Sequence, residues 1–125
     1  MRRVLVVDDN RELRLYLVKA LRDYGYRAAE AETAPLALAK QLMFKPHIVL
    51  LDVVMPGVNG NEIIEKLLAF NPKVVVIMMT GYPNGGLAHL AIGMGARDYI
   101  VKPFNLDRLS LLINTYELLD LPEVE

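Results

Sequence analysis

The chain has 125 residues, is 54% hydrophobic and 23% charged, and carries a net charge of −1. This is the composition of one globular domain, too apolar to stay disordered and too near neutral for its overall charge to draw it to nucleic acid or to an anionic membrane. There is no cysteine, which removes disulfides and thiolate metal sites and is compatible with the cytoplasm.

The first ten residues, MRRVLVVDDN, place only four apolar residues before two aspartates, too few for a signal peptide. Val4 to Val7 reads as a first buried strand that ends in Asp8 and Asp9. Asn10 then caps a first helix carrying Leu13, Leu17, Ala20, Leu21 and Tyr24 at helical spacing, with Gly25 as its stop. Arg27 to Ala31 is a weak second strand. Thr33 caps a second helix through Phe44, with Pro35 in its tolerant first turn and Lys45-Pro46 as its end.

The stretch from Ile48 to Gly60, IVLLDVVMPGVNG, organises the rest. Ile48 to Leu51 is a continuous apolar run, as expected of a strand buried on both faces of a parallel sheet. Asp52 ends it, and Pro56, Gly57 and Gly60 turn the chain at once. A carboxylate there faces the crevice beyond the strand ends rather than the core. Ile63, Ile64, Leu67, Leu68 and Phe70 predict a third helix closed by Asn71-Pro72. Val74 to Met79 is a fourth buried strand leading to Thr80.

Val74 to Ala96 contains no charged residue, but Pro83, Asn84 and five glycines break it up, so it is not a membrane span. A fourth helix falls in Asn84 to Gly93. With Gly85, Gly86 and Gly93 in or beside it, it is expected to be short, shifted or mobile. Tyr99 to Val101 is a fifth strand ending at Lys102-Pro103. Asn105 caps a last helix from Leu106 to Leu119, with Leu109, Leu112, Ile113 and Tyr116 as its core stripe.

Alternating strands and helices with short connections predict a parallel sheet covered on both faces. Four of the five strands end in polar groups, namely Asp8 and Asp9, then Asp52, Thr80 and Lys102. Three gathered carboxylates call for a proton or a cation. All-oxygen ligands select a hard ion such as Mg²⁺. A lysine, a hydroxyl and a divalent ion around one carboxylate suit in-line phosphoryl transfer, with Asp52 the best-placed nucleophile.

In VLVVDDN at 4–10, LLDVVMPGVNG at 50–60, MMTGY at 78–82 and GARDYIVKPF at 95–104, the chain resembles the receiver domains of bacterial two-component response regulators, chemotaxis regulators among them. The resemblance covers the full length. It implies a doubly wound, flavodoxin-like (βα)5 fold with strand order 2-1-3-4-5, a receiver over residues 1–120 and a tail or linker start over 121–125. It implies Asp52 as phosphoacceptor from a sensor histidine kinase or phosphotransfer protein. Asp8, Asp9, Asp52 and the backbone carbonyl of Val54 would hold Mg²⁺, with Mn²⁺ as a substitute. Thr80 and Lys102 would contact the phosphoryl oxygens, Lys102-Pro103 would be cis, and Tyr99 would turn inward as Thr80 moves. The domain would not be a turnover enzyme on a separate substrate, and would contact neither nucleic acid nor membrane.

Other readings of the residues fit less well. An aspartate-nucleophile phosphatase needs an acid two residues after the nucleophile, where Val54 stands. A flavodoxin-like cofactor binder needs a phosphate loop where Asp8 and Asp9 would repel phosphate. A degenerate receiver that only mediates contacts has no need of Thr80 and Lys102 beside intact acids. His47 and His89 lack partners at ligand spacing and read as surface or packing residues. Leu111 and Leu118, one heptad apart, with the uncharged 81–96 segment, predict that the face of the fourth helix, fifth strand and last helix docks an output partner or a second copy. Val54 and Tyr82 offer no group to orient an attacking water, so slow autodephosphorylation is expected.

Overall fold

The structure is a computed structural model that describes residues 2–52, 60–81, 92–93 and 95–119, with the side chains of 60, 61 and 117–119 excepted. Five parallel strands, β1 (Arg3–Val7), β2 (Arg27–Ala31), β3 (Ile48–Asp52), β4 (Val75–Thr80) and β5 (Asp98–Val101), lie in the order β2-β1-β3-β4-β5. The described helices are α1 (Arg11–Asp23), α2 (Ala34–Phe44), α3 (Gly60–Phe70) and α4 (Leu106–Leu119), the last of which is the predicted final helix. Of the expected fourth helix, only Ile92 and Gly93 are described, and both are helical. Its length, and the positions of Gly85 and Gly86, lie outside the described residues.

The strand alternation sorts the core into two layers. Val4, Val6, Ile48, Leu50, Val75, Ile77, Met79 and Ile100 pack on one face with Leu17, Val18 and Leu21 of α1 and with Leu109 and Ile113 of α4. Leu5, Val7, Val49, Leu51, Val76 and Met78 pack on the other with Ala34 and Ala37 of α2 and Ile63, Ile64 and Leu67 of α3. A strand covered on both faces has no solvent side. This is why β3 and β4 are buried at every position and read as continuous apolar runs.

The caps form where the short polar residues predicted them. Asn10 Oδ1 accepts the Leu13 amide at 3.1 Å, Thr33 Oγ1 that of Leu36 at 3.2 Å, and Asn105 Oδ1 that of Arg108 at 2.7 Å. Gly25, at φ +94°, ends α1. Two of the apolar residues that marked the helices in the sequence do not lie in the core. Tyr24 is 47% exposed, because it stands in the cap of α1 where the helical face runs out, and its hydroxyl reaches Asp107 instead. Phe70, the last residue of α3, is 43% exposed.

His47 lies at the start of β3, at the opposite end of the sheet from Asp52. Its Nδ1 accepts the Arg3 amide at 3.0 Å, so the ring must be neutral there. Partial burial, then Arg3 and Arg2, hold its pKa below the ordinary value. The unfolded chain therefore takes up this proton first as the pH falls. The bond's contribution should be complete above about pH 6.5 and fade below it. Thermal unfolding between pH 7.5 and 5.5 should show a decline in the wild type that is smaller in His47→Asn, whose Oδ1 can accept the same amide. Equal slopes would contradict the assignment.

Candidate functional site

The carboxyl ends of β1 and β3 are neighbours because β1 pairs directly with β3, with Val7 opposite Leu51. Asp8 follows Val7, and Asp52 closes β3. Asp8 is fully buried and Asp52 is 6% exposed, while Asp9 is exposed at the rim. One carboxylate oxygen from each of the three lies within 4.8 Å of the others.

The ends of β4 and β5 are also adjacent. Thr80 pairs with Val101, and the Lys102 amide donates to the Thr80 carbonyl at 2.6 Å. Thr80 is 1% exposed. Lys102 spans the gap between strands: its Nζ is 2.7 Å from Asp8 Oδ2 and 3.4 Å from Asp52 Oδ2. The Lys102-Pro103 peptide is cis, as the resemblance implied. Tyr99, partly buried, packs against the α2/α3 layer of the core.

Among the described residues, three carboxylates gather around one ammonium, an excess of negative charge that a divalent cation would offset. The donors are all oxygens, as a hard ion requires. Around Mg²⁺, ligand oxygens stand about 3 to 4 Å apart, given bonds of roughly 2.0–2.1 Å. The cluster would need only a small contraction, or one water-mediated ligand. The residues present therefore fit the expected metal. Val54, expected as a carbonyl ligand, and Tyr82, expected with it to slow autodephosphorylation, lie outside the described residues, as does His89.

The acid loop is held by its own turn and by α1. The Asn10 amide donates to Asp8 Oδ1 at 2.8 Å. Arg14, 6% exposed on α1, donates from Nη1 to the carbonyl oxygen of Asp8 at 2.9 Å and from Nε to Glu30 Oε1 at 2.6 Å. The sequence expectations do not single out Arg14. Its signal was a cation in helical register with Asn10, Leu17, Val18 and Leu21, within the stripe that faces the core.

Residues 4–114 match the family described as the response regulator receiver domain. The chain belongs to this family. Its receiver domain is 37% identical over 110 residues to the chemotaxis protein CheY of Listeria monocytogenes, covering 87% of this chain and 92% of that protein. Among solved structures, the receiver fold superposes on chemotaxis protein CheY4 of Vibrio cholerae with a TM-score of 0.86 at 27% identity, over 92% of this chain and 98% of that one. It superposes on the receiver domain of NtrX from Brucella abortus with a TM-score of 0.83 at 34% identity, over 90% and 95%. Other relatives are much longer: the receiver matches about a quarter of the nitrogen assimilation regulatory protein NtrX of Azorhizobium caulinodans, 24% of its length. Receiver domains are signalling domains rather than turnover enzymes, and they work with histidine kinases or phosphotransfer proteins. Among the described residues no helix is long and apolar enough to cross a membrane.

Proposed function

We propose that this receiver domain accepts one phosphoryl group on Asp52 from a phosphohistidine donor, with Mg²⁺ held by Asp8, Asp9, Asp52 and the Val54 carbonyl. The observation that carries the reading is Lys102, whose Nζ lies between Asp8 and Asp52 at the rim where β1, β3 and β5 end. Bound there, the metal would neutralise charge on the phosphoryl oxygens.

The chain's own residues do the rest. An Asp52 carboxylate oxygen attacks phosphorus in line, forming an acyl phosphate. The bond from phosphorus to the donor's imidazole nitrogen breaks, and its electron pair stays on that nitrogen. Lys102 and the Thr80 hydroxyl bind the transferred oxygens, and Asp8 keeps Lys102 at the rim. Tyr99 lies on β5, two residues before the partner of Thr80, and would follow Thr80, which would pass the change to the outer face. We read residues 1–120 as the receiver, 121–125 as a tail or linker start, and the compartment as the cytoplasm. The test is intact mass after incubation with acetyl phosphate and Mg²⁺: one added phosphoryl group is expected, and none would refute the reading.

The output face we assign is segment 84–93 with β5 and α4. Leu111 of α4 is 67% exposed, whereas Leu109 and Ile113 beside it are buried; the side chain of Leu118 lies outside the described residues. Leu111→Glu should leave phosphorylation and folding unchanged. It should also weaken association of the beryllofluoride-treated chain, read by sedimentation, or of its output partner. Undiminished association in both cases would remove Leu111 from the interface.

A further inference from the structure

Among the described residues, the one buried cation that the phosphoryl chemistry does not use is Arg14. Its guanidinium sits beneath the acid loop, between α1 and β2, with 7% of the side chain exposed. A charge so buried is retained only where partners satisfy it. Two partners lie at short distance and one farther off: Glu30 Oε1 at 2.6 Å, the Asp8 carbonyl oxygen at 2.9 Å, and Glu32 Oε2 at 3.9 Å.

The Asp8 carbonyl belongs to the peptide unit that joins Asp8 to Asp9. β1 ends at Val7, so the sheet ladder with β3 stops one residue before this unit. Arg14 supplies the missing donor. The orientation of this peptide sets where the Asp9 carboxylate stands relative to those of Asp8 and Asp52. Glu30 holds the other edge of the same planar fork, and the Glu30 carbonyl in turn accepts Lys40 Nζ of α2. A chain of polar contacts thus runs from α2, through edge strand β2 and the Arg14 guanidinium, to the backbone of the acid cluster.

We propose that Arg14, held by Glu30, is a positioning residue that fixes the Asp8–Asp9 peptide so that the exposed Asp9 carboxylate stays in the cation site. The proposal rests on the metal-binding reading above. A planar guanidinium presents separate nitrogens, in fixed geometry, to the carbonyl and the carboxylate at once, whereas a lysine would have to serve both from a single nitrogen on a flexible stem. Groups that orient ligands from behind typically change metal affinity about 10–100-fold when lost.

The experiment is Mn²⁺ binding to the full chain, followed by the resonance of free Mn²⁺, for wild type, Arg14→Met, Arg14→Lys and Glu30→Gln. Melting without metal confirms that each variant is folded. Arg14→Met should bind about 10-fold or more weakly, with Arg14→Lys and Glu30→Gln between it and wild type. In an Asp9→Asn background, Arg14→Met should cost less than about twofold, because its effect runs through Asp9; a merely structural role would give additive losses. If Arg14→Met does not fold, Arg14→Lys carries the decision, with a loss of about threefold or more expected. Folded variants that bind within twofold of wild type, or strict additivity with Asp9→Asn, would overturn the proposal alone. A wild type that binds no Mn²⁺ would overturn the metal reading and the proposal with it.

Discussion

Asp52→Asn is expected to take up no phosphoryl group from acetyl phosphate and Mg²⁺ under conditions where the wild type takes up one. The asparagine amide keeps the shape of the carboxylate but offers no anionic oxygen to phosphorus. The fold should persist, since Asp52 is 6% exposed and its replacement is isosteric. Removing one of three clustered negative charges also lessens their repulsion. One opposing term is the loss of the 3.4 Å pair with Lys102, the longer of that lysine's two pairs. Without metal, the variant should therefore melt close to the wild type, and Mg²⁺ should raise its melting temperature less. Intact mass reads the first outcome and thermal melting the second. Equal incorporation in Asp52→Asn would place the acceptor elsewhere.

Lys102→Ala should be damaging in two separate ways. Asp8 is fully buried, and Lys102 is its close cationic partner at 2.7 Å. Removing one member of a buried ion pair costs about 3–5 kcal/mol when the other is left uncompensated. The Asn10 amide still donates to Asp8, so the loss should fall at or below the lower end. A fall of several degrees in the metal-free melting temperature is the corresponding reading. Saturating Mg²⁺ should restore more stability here than in the wild type, because no ammonium competes for the same oxygens; occupancy at 100 times Kd stabilises by about 2.7 kcal/mol. Phosphoryl incorporation should nevertheless fall by about 10²–10³, the usual consequence of losing one donor to developing charge. Incorporation at the wild-type rate would show that Lys102 serves only to pair the acids.

Much of this was legible in the chain itself, for an identifiable reason. In a parallel sheet covered on both faces, buried strands must be runs of hydrocarbon, and the polar residue that ends each run must lie at the crevice rim. Ile48–Leu51 before Asp52 and Val75–Met79 before Thr80 are such cases. Helix starts were equally legible, because a cap is a local bond between a side chain and an amide three residues on, as at Asn10 and Thr33. Tyr24 shows the limit of periodicity: the helical pattern extended one residue past the packed face, and the tyrosine turned outward to Asp107.

The amino-acid sequence by itself thus determined the order of elements, which residues cap them, and which carboxylates, hydroxyl and lysine end the strands. These follow from interactions a few residues apart and from the need to bury apolar runs. Only the tertiary structure decided that Lys102 pairs more closely with Asp8 than with Asp52. It alone showed that His47 accepts the amide of Arg3, 44 residues away, and that Arg14 reaches both Glu30 and the Asp8 carbonyl. Each of these bonds joins residues on different elements. Its geometry exists only once β1 lies between β2 and β3, because a hydrogen bond a few tenths of an ångström long or short is set by packing and not by residue type.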